Sequence, residues 1–317
     1  MHKCRARPLA CASQISFFLP LARRRGKYII SFFLVKGGIA MPHLRREQLA
    51  GMGIHYMYHS FDYFLDCQQE LGFKTIEMWC GRPHFWLDDH GYQDTCELKK
   101  KVEDHGLKIG VFTPECAMYN YLLCAHDEYA RKRAVGYYTN GIKAAGEVGA
   151  KVMLTNCCGC DWNEDPERVF ERAVKMLRLL APVAAENDVT LAVETVRPEE
   201  SRMIIRLDEL ARLLKAVDHP NVKAALDLTA VGVAGETVKQ WFETLGSDIR
   251  HMHFVDGRPY GHLVWGDGLH PMADYIELMN QYGYEGYLGQ EITDDRYFAD
   301  PREADRRNMA AFEPFFV

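Results

Sequence analysis

Residues 287–292 read YLGQEI, a short run that starts apolar at Tyr287-Leu288 and carries a carboxylate at Glu291. A glycine turn, Tyr282-Gly283-Tyr284, and a helical pattern, MADYIELMNQYG (272–283), precede it. Toward the N-terminus the same strand-like unit recurs in MGIHY (52–56), TIEMW (75–79), KIGVFT (108–113), KVMLTN (151–156), TLAVET (190–195), VKAALD (222–227) and IRHMHF (249–254). YLGQEI is therefore the eighth strand, and the eighth decides the fold. Strands alternating with helices make parallel sheet. Eight such units in about 270 residues match the length of a (β/α)8 TIM barrel. An open doubly wound sheet usually has fewer strands and a Gly-rich first turn, and no G-x-G-x-x-G follows strand 1 here.

The segments between the strands support this α/β reading. PERVFERAVKMLRLLAPVAAEN (166–187) places Val169, Phe170, Ala173, Val174, Leu177 and Leu180 at the spacing of one helix face. LDELARLLKAV (207–217) is built alike. Glycines punctuate the helix ends at Gly72, Gly106, Gly149 and Gly283. No Pro/Gly/Ser-rich linker breaks the alternation, so a single domain is expected over residues 41–317.

The first forty residues differ. They carry eight Lys/Arg and no Asp/Glu, whereas residues 41–317 carry 30 basic and 44 acidic side chains. The leader's two apolar runs, ISFFLP and YIISFFLV, fall short of the roughly 20 residues that span a bilayer. A signal peptide is one reading. The preferred one is a translated upstream region ahead of a true start at Met41, with Lys36-Gly37-Gly38 encoded by a purine-rich ribosome-binding sequence. N-terminal sequencing of natively expressed protein distinguishes the two. The overall charge of −6 gives no nucleic-acid footprint. Ten scattered cysteines, several inside apolar runs, suit reduced thiols and a cytoplasmic location.

In such a barrel the active site lies at the C-terminal ends of the strands. Strand 5 ends in Glu194, strand 6 in Asp227, strand 7 carries His253 and strand 8 carries Glu291. One carboxylate at a strand end is ordinarily a helix cap or a loop salt bridge. Four metal-competent side chains delivered to one rim by consecutive strands are harder to explain that way, because buried carboxylates are costly unless paired or metal-bound. Three carboxylates and one imidazole suit one divalent ion of the Mn²⁺, Mg²⁺ or Co²⁺ type.

From about Gly51 onward the chain resembles the sugar isomerase/epimerase superfamily of xylose isomerase-like TIM barrels. IEMWCGRPHF (76–85), TPE (113–115), RHMHFVDG (250–257) and GYEGYLGQEI (283–292) look like its fructoselysine 3-epimerase branch. The resemblance implies one divalent metal held by Glu194, Asp227, His253 and Glu291. It also implies a substrate contact six residues after the first ligand, at Glu200. Two departures stand out. Psicose- and tagatose-type epimerases carry a His three residues after the Asp ligand, here Ala230, and an Arg six residues after the His ligand, here Pro259 with Arg258 beside it. The nuclease members' Asp-x-His motif appears as Tyr260-Gly261-His262, without the acid.

The chemistry implied is inversion at C3 of a ketose through an enediolate, with the metal as Lewis acid. Two bases on opposite faces are needed, and Glu194 and Glu291 come from strands across the ring. Trp79 and His84 are read as substrate contacts or loop packing, Glu115 as a partner for a substrate amine or for a neighbouring loop, and His262 as orienting substrate. NCCGC (156–160) reads as buried thiols rather than a soft-metal site, and WGDG (265–268) as a weak phosphate-loop signal. MYNYLL (118–123) is read as a homo-oligomer interface or a lid. The expected partner is a small sugar or sugar-amine, with no nucleic acid and no membrane. An aldose–ketose isomerase or an inosose-type dehydratase is the alternative on the same site. A non-catalytic sugar-binding barrel is the alternative of another class.

Overall fold

The computed structural model describes residues 42–81, 84–117 and 120–317. The basic leader, with the readings of its origin, lies outside them, as do the first two residues of MYNYLL. Eight parallel strands close in sequence order. They are β1 (Leu49–Met52), β2 (Thr75–Trp79), β3 (Lys108–Thr113), β4 (Val152–Asn156), β5 (Thr190–Glu194), β6 (Val222–Asp227), β7 (Ile249–His253) and β8 (Tyr287–Gln290). β8 pairs back onto β1, Gly289 beside Ala50, which completes the ring. Among the described residues no helix is long and apolar enough to cross a membrane.

Helices pack around the strands: α1 (Phe61–Glu70), α2 (Thr95–Asp104), α3 (Glu128–Val148), α4 (Pro166–Glu186), α5 (Leu207–Val217), α6 (Leu228–Val233), α7 (Val238–Leu245), α8 (Met272–Gln281) and α9 (Pro301–Phe312). α4 shows how sequence sets them. Asp165 caps it by accepting the Glu167 N–H, and Pro166 occupies the first turn, where no intrahelical donor is needed. Its apolar stripe then buries Val169, Phe170, Ala173, Met176, Leu177 and Leu180. Cutting fully buried Leu177 to alanine would cost about 2–5 kcal/mol.

Alternation along the strands layers the barrel interior. Val111, Val152, Leu154, Ala192 and Ala225 form a small apolar cluster of their own. Two residues on from Ala192 and Ala225, on the same strand face, come Glu194 and Asp227. The stagger of the ring places Glu194 level with Ala225, and Asp227 level with His253. A plug of small and branched side chains thus sits beneath a polar rim.

Strand 1 is where the structure departs from the sequence reading. The sequence predicts it over MGIHY (52–56), but β1 is Leu49–Met52 and Ile54–Tyr56 is a 3-10 turn. The cause is a distant residue. Buried Asp305, on α9, lies 2.9 Å from His55 Nε2 and accepts from Tyr56 Oη at 2.8 Å, pulling both side chains out of the ring. Ala50 and Gly51 close the barrel instead. A Cβ at Gly51 would lie 1.8 Å from the Gln68 amide oxygen, so a larger residue there would displace the Gln68 side chain from Asp305.

Candidate metal centre

Glu194, Asp227 and His253 are the last residues of β5, β6 and β7, and Glu291 directly follows β8. His253 Nδ1 lies 2.7 Å from Glu194 Oε1 and 3.0 Å from Glu291 Oε2. His253 Nδ1 and Glu194 Oε1 are buried, yet neither has a partner in hydrogen-bond geometry. Donor atoms that converge without bonding one another are what a cation between them requires. Their spacing fits as well, since neighbouring oxygens around a six-coordinate ion with bonds of about 2.1 Å sit roughly 3 Å apart. The residues present therefore fit a divalent metal. Among the described residues they form two overlapping groups, Glu194–His253–Glu291 and Asp227–His262–Glu291, with Glu291 common to both.

Three features hold these donors. Glu77, in the middle of β2, is fully buried beneath them. Its Oε1 accepts from Thr113 Oγ1 at 2.6 Å and lies 3.1 Å from His253 Nε2. That contact ties down Nε2 and leaves Nδ1 to face the rim. Its other oxygen is 2.9 Å from His251 Nε2. A Cβ at Gly289 would sit 2.1 Å from that oxygen, so glycine makes the room. Asp227 caps α6, accepting the Thr229 N–H at 2.8 Å and the Ala230 N–H at 3.3 Å. His262 comes from the loop after β7, following Gly261 at a φ of 90° that favours glycine. Its Nε2 lies 3.1 Å from Asp227 Oδ2 and 3.3 Å from Glu291 Oε2.

The electrostatics follow from burial and crowding. Burial pushes the Glu194 carboxyl up to about 7, and His253 only partly offsets this. Burial alone would raise Asp227 too, but His262 and His253 outweigh it and hold Asp227 at about 2. Burial disfavours the charged form of His253, yet Glu291, Glu194 and Glu77 together raise it well above the ordinary imidazole range. For His262 the same contest, won by Asp227 and Glu291, ends at about 9. Glu77 pays the burial cost of a carboxylate and is still held below the usual range by His251 and His253.

The remaining candidates divide. Trp79 Nε1 donates to Glu115 Oε2 at 3.1 Å. Burial, then Glu291, raises the Glu115 carboxyl, which places this pair beside the rim. Glu200 is gripped through both oxygens by Arg197, at 2.6 and 3.0 Å. The negative charges of Asp227 and Glu291 act on that guanidinium, so a cation that the sequence reading passed over belongs to this side of the rim. His84 is buried, stacked on Phe64 and edge-on to Trp79. Arg258 is exposed at the tip of the loop carrying His262. The eight described cysteines are free, and Cys157 and Cys158 are buried.

The phosphate-loop reading of WGDG is overturned. Buried Asp256 accepts the N–H groups of Gly257 (2.9 Å), Gly266 (2.9 Å), Gly268 (2.8 Å) and His270 (3.0 Å). The amides that could cradle a phosphate are already occupied by the chain's own carboxylate.

Known proteins resemble the chain in sequence and in fold. The fructoselysine 3-epimerase of Shigella flexneri is 28% identical over 245 residues, covering 77% of this chain and 88% of the relative. The D-psicose 3-epimerase of Ruminiclostridium cellulolyticum is 26% identical over 250 residues, covering 75% and 82%. Both relatives are sugar 3-epimerases, which are isomerase-class enzymes. The crystal structure of D-psicose 3-epimerase with D-tagatose from Clostridium cellulolyticum H10 superposes with a TM-score of 0.70 over 84% of this chain and 97% of that one, at 22% identity. Residues 66–314 match the family model for the xylose isomerase-like TIM barrel, and the chain belongs to that family.

Proposed function

We propose that this chain is a divalent-metal-dependent sugar 3-epimerase that inverts C3 of a ketose, with a fructosamine-type adduct as the first-choice substrate. One observation carries the reading: Glu194 and Glu291, from β5 and just beyond β8, approach the same nitrogen of His253, at 2.7 and 3.0 Å. Glu194, Asp227, His253 and Glu291 would hold one ion of the Mn²⁺, Mg²⁺ or Co²⁺ type, which when bound supplies Lewis-acid stabilisation of an enediolate.

The chain's own residues do the proton work. One glutamate takes the C3 proton and the other returns a proton from the far face. Each glutamate could hold the ion through one carboxylate oxygen and use the other as the base. Trp79, steadied by His84 and bonded to Glu115, offers an apolar face with an anion beside it, which suits an adduct's amine. The Arg197–Glu200 pair and His262 lie on the Asp227 side. Arg258, exposed at the loop tip, would meet the far end of a long adduct.

The test is solvent exchange. Protein reloaded with Mn²⁺ is incubated in D₂O with free ketoses, ketose phosphates and fructosyl-amino acids. Deuterium entering C3 together with the inverted epimer supports the reading. Exchange at C1 with aldose formation makes the enzyme an isomerase instead. Loss of water makes it a dehydratase. No exchange with any ketose at all leaves a sugar-binding barrel.

A further inference from the structure

The rim holds one more imidazole than the strand ends supply. We propose that His262 is itself a ligand of the ion, so that the centre has five protein donors: Glu194, Asp227, Glu291, His253 and His262. The inference rests on the metal-dependent reading above and deepens it.

Three observations carry it. First, both imidazoles lie against the shared Glu291 carboxylate, and His262 Nε2 is also hydrogen-bonded to Asp227 Oδ2, a bond that the ion would replace. His253 Nδ1 lies 2.7 Å from Glu194 and 3.0 Å from Glu291 Oε2. His262 Nε2 lies 3.1 Å from Asp227 and 3.3 Å from that same Glu291 oxygen. Within each of the two groups the distances fall near the roughly 3 Å separation of neighbouring donors on an ion with bonds of about 2.1 Å, and Glu291, common to both groups, is the donor that would join them on one ion. Second, each imidazole has its far nitrogen tied down, the usual state of a metal-bound histidine. Glu77 holds His253 Nε2 at 3.1 Å, and Thr293 Oγ1 holds His262 Nδ1 at 3.0 Å.

Third, the loop that delivers His262 is built for position. Asp256 and Leu263 exchange both backbone hydrogen bonds, at 2.9 and 3.0 Å. The Asp256 carboxylate gathers four further amides across the loop, and His262 is only 5% exposed. A side chain that merely brushes a mobile substrate needs no such frame. A second nitrogen donor also has a chemical consequence. It moves the centre away from Mg²⁺, which favours all-oxygen shells, and toward Mn²⁺ and Co²⁺.

The experiment counts imidazoles without using turnover. Chelated, full-length protein is reloaded with Mn²⁺, and pulsed electron paramagnetic resonance reads the coordinated histidine nitrogens. Co²⁺ absorption spectra are taken in parallel. Two imidazoles are expected in the wild type and one in His262→Gln, with Co²⁺ binding weakened at least tenfold and the Co²⁺ spectrum altered. Thr293→Val keeps the imidazole but frees its far nitrogen, and should retain two nitrogens while binding Co²⁺ more weakly. A single imidazole in the wild type overturns the proposal, leaving His262 as a hydrogen-bonding partner of Asp227; that count does not depend on whether the variants fold. If neither Mn²⁺ nor Co²⁺ binds, the inference and the metal-dependent reading fall together. If two imidazoles bind but no ketose exchanges its C3 proton, only the epimerase reading falls.

Discussion

Replacing Glu77 with glutamine probes how the barrel interior sets up the candidate metal centre. Glu77 is fully buried and acts on the rim through His253. Its carboxylate meets three groups: Thr113 Oγ1 at 2.6 Å, His253 Nε2 at 3.1 Å and His251 Nε2 at 2.9 Å. Glutamine keeps the shape but removes the charge and one acceptor oxygen. The His253 Nε2–H then competes with Thr113 for a single carbonyl, and the ring loses part of what fixes its tautomer. Removing such an outer partner typically weakens metal binding 10–100-fold, or about 1.4–2.7 kcal/mol. Alanine would do more, stranding two buried imidazoles and a hydroxyl at a cost of about 3–5 kcal/mol in fold stability. Mn²⁺ titration followed by electron paramagnetic resonance measures the affinity, and thermal unfolding of the chelated protein checks that Glu77→Gln is folded. A folded Glu77→Gln that binds Mn²⁺ as tightly as the wild type would refute the reasoning.

Two further outcomes are expected. Glu194→Gln and Glu291→Gln should fold and retain some metal while turnover falls about 10²–10⁴-fold, because an amide cannot accept and return the proton. Each variant should still exchange the C3 proton of one epimer; unimpaired turnover in either one removes that residue from the base pair. The second outcome concerns acid stability. Burial among Phe61, Phe64 and Trp79 lowers His84 to about 4 against an ordinary 6.5. A lowered imidazole contributes stability that is complete above about pH 6.5 and lost as pH falls toward 4, worth about 3 kcal/mol over that window. Urea unfolding of the chelated protein should therefore show a shallower acid decline for His84→Gln than for the wild type, and equal slopes would show that His84 is not buried in neutral form.

Local periodicity made the barrel legible from sequence. Short apolar runs mark strands buried on both faces and a period near 3.6 marks helices, and both are carried by adjacent residues. Once eight units are counted, the topology of a parallel barrel sends the strand ends to one rim, so Glu194, Asp227, His253 and Glu291 could be named before any coordinates. Strand 1 was misplaced because its limits depend on Asp305, 250 residues from His55. The supporting residues were hidden for the same reason. Glu77 sits inside an apolar strand, which signals a carboxylate with a partner, but the partner is 176 residues away. WGDG has the composition of an anion-binding loop whether the anion is a ligand's phosphate or the side chain of Asp256. His262 lies in a loop without periodicity, and only the folded path of that loop brings its Nε2 between Asp227 and Glu291. Composition and spacing act over a few residues, whereas register, ring closure and the pairing of buried charges are set by the whole barrel at once.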